Sequence, residues 1–241
     1  MNLSNIVDYK NYKIVLFIYV IIIFLIILNK YSLFNLFRIK INTYDFNLFI
    51  FSIILAGSIF LIIYPLVKLK LVDLSGKKNL NKEKLYDPLH TIKINKNIEN
   101  ILYKLNEFIP VLCILFYIYL YINNNNINAI SYFLLGISVI FIIKCIISLC
   151  TIIPDASQKC KIKLLNGSCN DLLCSGHFSI VFLIYLLIIK YKLMNKNNNY
   201  LVLLIVILYG FIPIITKKHY TIDILVATII ILLVNNYIPK K

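Results

Sequence analysis

The chain has three histidines, and two of them stand where an ionisable side chain is costly. His177 closes Cys174-Ser175-Gly176-His177, directly before the apolar run Phe178–Ile189. His219 opens His219-Tyr220-Thr221-Ile222-Asp223, directly before Ile224–Val234. A titratable group at the edge of a hydrocarbon layer is unfavourable unless it is paired or meets water. If the chain from Tyr220 onward is helical, His219 and Asp223 lie four apart on one face, so the carboxylate can accept a hydrogen bond from one imidazole nitrogen. The other nitrogen is then left as base or nucleophile, oriented by its carboxylate. A second histidine on the same surface completes a set suited to phosphoryl transfer: one ring attacks phosphorus while the other protonates the departing oxygen. Ser175 and Gly176 precede a helix whose first N–H groups can hold phosphate oxygens. This scheme requires no metal and no cofactor. Read singly, each histidine could be an interfacial helix cap; that reading loses ground once the Asp223 spacing and the glycine at the helix mouth are taken together.

The elements that must position these residues are membrane helices. Of 241 residues, 61% are apolar and 15% charged, against roughly 45–50% apolar in soluble domains, and the apolar residues fall in long uniform blocks. That excludes a soluble fold. The net charge of +15 comes from lysines placed between those blocks, where anionic lipid headgroups and not nucleic acid are the nearer partner. A helix crossing a ~30 Å hydrocarbon layer needs about 20 apolar residues. Seven blocks approach this: Ile14–Leu28, Phe46–Val67, Phe108–Ile122, Ala129–Cys150, Leu172–Ile189, Tyr200–Ile215 and Tyr220–Val234. No small-residue cleavage site follows Leu28, where Asn29, Lys30 and Tyr31 come next, so the first block is expected to stay as a helix. The expectation is an all-α polytopic membrane protein. Residues 1–45 form an extension with one membrane helix, and residues 46–241 form a six-helix domain.

From His177 the chain enters the membrane, turns at Asn197–Asn199 and returns, which brings both histidines to one face. Asn123–Asn126 makes another tight turn. The two long connections are Lys68–Glu107 and Thr151–Asp171. The first is expected to be a solvated loop containing His90, although Ile98–Leu105 could instead form an amphipathic interfacial helix. Lys144 lies inside a block and either snorkels or meets a headgroup phosphate; phosphate contact is the preferred reading.

Three segments resemble the sphingomyelin synthase family, within the type 2 phosphatidic acid phosphatase superfamily. Cys169-Asn170-Asp171-Leu172-Leu173-Cys174-Ser175-Gly176-His177 is similar to Cys-Gly-Asp, two or three variable residues, then Ser-Gly-His. His219-Tyr220-Thr221-Ile222-Asp223 is similar to His-Tyr-Thr, an aliphatic residue, Asp. Lys144-Cys145-Ile146 running to Thr151-Ile152-Ile153-Pro154 resembles the family's Arg-Cys-Ile stretch ending in Thr-Thr-Leu-Pro. The resemblance covers about residues 46–241. It implies a catalytic set of His177, His219 and Asp223, with substrate contacts from Lys144, Asp171, Ser175, Gly176 and Tyr220. The implied reaction moves phosphocholine or phosphoethanolamine from a glycerophospholipid to ceramide, through a phosphohistidine. The partners are therefore membrane lipids: a phospholipid donor and a ceramide or diacylglycerol acceptor. A homodimer is compatible with it, and the implied residence is the Golgi, the endoplasmic reticulum or the plasma membrane.

The alternative is a lipid phosphate phosphatase using the same histidines with water as acceptor. Those enzymes carry Lys, six residues, Arg-Pro, and a Ser-Arg pair six to seven residues before the second histidine. Here Thr151 stands seven positions after Lys144, and Ile212 and Pro213 precede His219. Arginine clamps a phosphate dianion bidentately, so the missing pair favours diester exchange. The chain departs from the synthases at Asn170 for glycine, Phe178 for threonine and Lys218 where an acidic residue is common. Sixteen of the 25 lysines and arginines lie on the histidine side of a seven-span topology and eight on the other, with Lys144 inside a span. The positive-inside rule would place that side in the cytosol, whereas the resemblance implies the lumenal or external face, which is adopted here. On that face the resemblance implies a disulfide between Cys160 and Cys169. Cys113, Cys145 and Cys150 are expected as packed thiols.

Overall fold

The computed structural model describes residues 9–28, 43–77, 85–124, 127–151 and 173–239. These residues are helical with short connections, and no strand occurs among them. α1 is Tyr9–Leu28. α2 is one continuous helix built from Thr43–Ser58, a π turn at Ile59–Ile63, and Tyr64–Lys77. α3 is Lys96–Asn124, α4 Ile127–Cys150, α5 Gly176–Lys190, α6 Lys196–Ile215 and α7 Thr221–Tyr237. Each apolar block has become one helix, α1 plus the six from α2 to α7, as an all-α integral membrane protein requires.

Among the described residues, four helices are long and apolar enough to cross a membrane: Tyr44–Lys70, Lys96–Asn124, Asn128–Cys150 and Lys196–Ile215. Their outer faces are apolar and uncovered, with Val111, Leu115, Leu204 and Leu208 all exposed, as a lipid-facing surface needs. α5 differs in kind. It has 15 residues, about 22 Å at 1.5 Å per residue, and it packs against α3, α4, α6 and α7. Leu183, Leu187 and Ile188 on it are fully buried. Its apolar character on all sides reflects protein around it more than lipid.

Prolines in α2 and α3 each remove a helical donor, and a tyrosine from a neighbouring helix answers the vacated carbonyl. Proline has no N–H, so Pro110 in α3 leaves the carbonyl of Asn106 without its helical donor. The buried Tyr209 hydroxyl of α6 donates to that carbonyl at 3.0 Å. Pro65, just after the π turn, similarly vacates the carbonyl of Leu61, which accepts from the Tyr12 hydroxyl of α1 at 2.6 Å. In a membrane interior no water can fill such a vacancy.

Three sequence expectations change. Asn197–Asn199 form the first turn of α6, and the chain reverses instead at residues 191–195, where Lys192 takes a φ of 52°. Most of Lys68–Glu107 is not a loop: α2 runs on to Lys77 and α3 begins at Lys96, because Ile98, Ile101 and Leu105 continue the helical pattern outside the apolar block. Cys150 is exposed, while Cys145 is buried and Cys113 half-buried. Asp171, Asn170, Cys160 and Cys169 lie outside the described residues.

Candidate active site

Among the described residues, the candidate site residues gather at one end of the bundle, where α5 and α7 begin and α6 ends. α6 stops at Ile215 because the chain reverses through a tight turn. The N–H groups of Lys218 and His219 both donate to the carbonyl of Pro213, at 2.9 and 3.0 Å, and Lys217 adopts a left-handed φ of 56°. α7 then starts with Asp223 in its first turn, where a negative charge is favoured by the helix dipole. Asp223 is fully buried. Its Oδ2 accepts from the Tyr220 N–H at 2.8 Å and from His219 Nδ1 at 3.2 Å, while its own N–H donates to the Tyr220 carbonyl at 3.0 Å. A carboxylate oxygen only accepts, so Nδ1 of His219 carries a hydrogen, and in the neutral ring Nε2 is the nitrogen with the lone pair. Oδ1 of Asp223 has no hydrogen-bond partner among the described residues.

His177 is the second residue of α5. Ser175 caps this helix, its hydroxyl accepting from the Phe178 N–H at 3.4 Å. Gly176 is where α5 meets α4: a Cβ there would lie 2.9 Å from Cζ of Phe141. His177 Nε2 lies 3.4 Å from Oε2 of Glu107 on α3. The other oxygen of the same carboxylate, Oε1, accepts from Nζ of Lys218, next in sequence to His219. The path His177, Glu107, Lys218, His219 thus joins the two histidines at one end of the bundle, each with its own carboxylate.

A segment between α2 and α3 straps the His219 turn in place. Asp87 caps the short 3₁₀ helix Pro88–Thr91, accepting from the Leu89 N–H at 3.0 Å. Its two oxygens also reach Thr221, Oδ2 to the N–H at 2.6 Å and Oδ1 to the hydroxyl at 3.0 Å. His90 Nε2 donates to the carbonyl of His219 at 3.0 Å, and its ring lies 5.1 Å from that of Tyr220. The Leu85 N–H donates to the Tyr220 hydroxyl at 3.3 Å. Burial pushes the Asp87 carboxyl up, but the donors from Thr221 and Leu89 and the nearby His90 ring outweigh it and hold the group below its usual range.

The segment that carries both histidines bears a family signature. Residues 168–239 match the family model described as PAP2 superfamily C-terminal. The match spans His177, His219 and Asp223, and it supports the type 2 phosphatidic acid phosphatase superfamily, whose chemistry is enzymatic and acts on lipid phosphates. No curated protein and no solved structure matches the chain.

The remaining expected substrate contacts are placed as follows. Lys144 is buried, and its Nζ donates to the Cys174 carbonyl at 2.6 Å. It does not snorkel to water but reaches the backbone that carries Ser175. Its ammonium and that of the fully buried Lys68 lie 5.8 and 4.3 Å from the Tyr64 ring centroid. Tyr220 is buried under the strap, with its ring toward His90. Ser175 is buried and committed to the cap.

His90, read from the sequence as solvated, instead holds the backbone of His219. Together with Asp87 and Glu107 it is a residue that sequence reasoning missed. Asp87-Pro88 did carry a local signal, a capping aspartate before a proline at the first helical position. Glu107 was signalled only as a carboxylate bordering the apolar run from Phe108.

Proposed function

We propose that the protein transfers a phospho-headgroup from a glycerophospholipid to the hydroxyl of a second membrane lipid. The observation that carries this reading is the imidazole of His219, with Nδ1 held by a buried carboxylate and Nε2 left for a substrate, at the same end of the bundle as a second histidine. Nε2 of His219 attacks phosphorus; an N–P bond forms as the bond to the diacylglycerol oxygen breaks. His177 gives its proton to that oxygen, so diacylglycerol leaves neutral. The acceptor hydroxyl then surrenders its proton to His177 and takes the phosphoryl group, and the N–P bond breaks. Asp223 stabilises the positive charge on His219 while phosphorus is attached. The sequence resemblance supports ceramide as acceptor; the phosphocholine or phosphoethanolamine donor it also implies is opposed by Lys218, which stands where the family often has an acidic residue.

The test is a two-substrate assay on the purified protein in lipid nanodiscs, with a labelled phospholipid donor and with or without ceramide. Ceramide-dependent transfer with parallel-line, ping-pong kinetics is expected. His177→Ala, His219→Ala and Asp223→Ala are each expected to abolish turnover while leaving the protein inserted. Release of inorganic phosphate from phosphatidic acid, with no ceramide-dependent product, would replace this reading with hydrolysis by the same residues. Retained transfer in His219→Ala would refute it.

A further inference from the structure

An ammonium group is recognised by a carboxylate and an aromatic face placed together. α3 offers that pair at the rim of the site: Tyr103 and Glu107 are four residues apart and share one helix face. The pair is already filled. Nζ of Lys218 lies 3.5 Å from the Tyr103 ring centroid and donates to Oε1 of Glu107. The Lys218 side chain is only 14% exposed, against 41% for Glu107, so the ammonium is set into this cradle and does not swing above it.

We propose that the site selects phospholipids whose headgroup carries no ammonium, because Lys218 occupies the place such a group would take. The assignment concerns binding, and it rests on the transfer reading only for where the phosphorus sits. Lys218 is tethered at its own backbone, through its N–H to the Pro213 carbonyl, and the next residue is His219. A tethered cation competes at high effective concentration with one arriving on a lipid. Its charge also repels a choline or ethanolamine arm while attracting phosphate oxygens. Glu107 links Lys218 to His177, so the cation stands one carboxylate away from the ring that would protonate the leaving oxygen. The chemistry that fits is a phosphoryl group bearing no positive charge, from either of two sources: a phosphomonoester such as phosphatidic acid, or a diester with a polyol headgroup such as phosphatidylglycerol.

The experiment compares short-chain phosphatidic acid, phosphatidylglycerol, phosphatidylethanolamine and phosphatidylcholine on the wild type and on Lys218→Ala. The wild type is expected to favour one or both ammonium-free lipids over phosphatidylcholine by about tenfold or more in kcat/KM, the scale of a displaced cation–aromatic contact and a like-charge clash. Lys218→Ala is expected to erase or invert that ratio, and adding Glu107→Gln to cancel the gain for phosphatidylcholine. Product analysis separates the two sources: inorganic phosphate or a phosphorylated acceptor from phosphatidic acid, a phosphoglycerol adduct from phosphatidylglycerol. Binding of the same lipids to His219→Ala, with and without Lys218→Ala, gives the preference independently of turnover. Lys218→Gln, which keeps most of the stem, carries the comparison if the alanine variant misfolds. Phosphatidylcholine preferred by the wild type, a ratio unmoved by removing the lysine, or no binding preference in His219→Ala would each overturn the proposal. If the binding preference holds but no lipid is turned over, the headgroup assignment stands and the transfer reading fails.

Discussion

On the proposed mechanism, replacing Asp87 by alanine should disable the site without touching His177 or His219. Asp87 is 6% exposed, and its carboxylate accepts from the Thr221 N–H at 2.6 Å, from the Thr221 hydroxyl at 3.0 Å and from the Leu89 N–H at 3.0 Å. Hydrogen bonds to a charged group contribute about 1.5–3 kcal/mol each. Two of the three cross from the strap to the start of α7, so freeing that junction should cost roughly 3 kcal/mol, allowing for water that enters in their place. At about 1.4 kcal/mol per tenfold, amide exchange at residues 219–223 should quicken roughly 100-fold. A displacement of His219 by about 1 Å is enough to lower turnover by a similar factor. Turnover should therefore fall about 100-fold while KM for the donor lipid changes little. Asp87→Asn keeps one acceptor and should fall between, near tenfold. The measurements are hydrogen exchange by mass spectrometry and lipid-transfer rates on the same nanodisc preparations. Exchange accelerated at 219–223 with turnover unchanged would show that the strap does not position the histidine, and unchanged exchange would show that the junction is held by something else.

The same carboxylate sets a pH dependence. Its folded value lies below the usual carboxylate range, so the stabilisation is fully present above the ordinary value of about 3.9 and is lost as pH falls through the lowered one; protection of the Thr221 amide should hold at about pH 5 and collapse only below about pH 4. Tyr209→Phe should destabilise the bundle by about 1–3 kcal/mol by orphaning the Asn106 carbonyl. In a Pro110→Ala background that loss should shrink, because alanine restores the missing N–H, and thermal unfolding of the double-mutant cycle in detergent would read the difference. Gly176→Ala should cost about 1–3 kcal/mol through overpacking against Phe141, with recovery when Phe141→Leu is added; an unaltered melting temperature in Gly176→Ala would refute the close approach.

The helices and the His219–Asp223 pair were legible because both are local. An apolar block reports its own helix, and a four-residue spacing at a helix start reports a shared face. The strap was not legible, because its meaning is entirely tertiary. Asp87 and His90 sit in a polar stretch with no periodicity, and their partners are His219 and Thr221, 129 and 134 residues away. Glu107 was missed for a related reason. A carboxylate bordering an apolar run looks like the end of a loop until α3 is seen to begin at Lys96 and to carry it, already helical, between His177 and Lys218. The turn expected at Asn197–Asn199 failed because asparagines suit the first turn of a helix as well as a reversal, and the sequence alone does not distinguish the two.

The gaps that Pro65 and Pro110 leave in their helices couple parts of the chain that would otherwise move independently. Where a hydroxyl from one helix answers a carbonyl vacated on another, the proline and the seam between the helices are a single joint: restore the helical donor and the hydroxyl has nothing to grip. Descendants of this sequence should therefore gain or lose Pro110 together with Tyr209, and Pro65 together with Tyr12, and a lineage that kept a proline while discarding its tyrosine should show compensation nearby. Pro110 sits three residues beyond Glu107, so the joint on α3 also fixes the angle at which that carboxylate is offered to His177. A change at Pro110 or Tyr209, one helical turn from Glu107, would therefore be felt at His177.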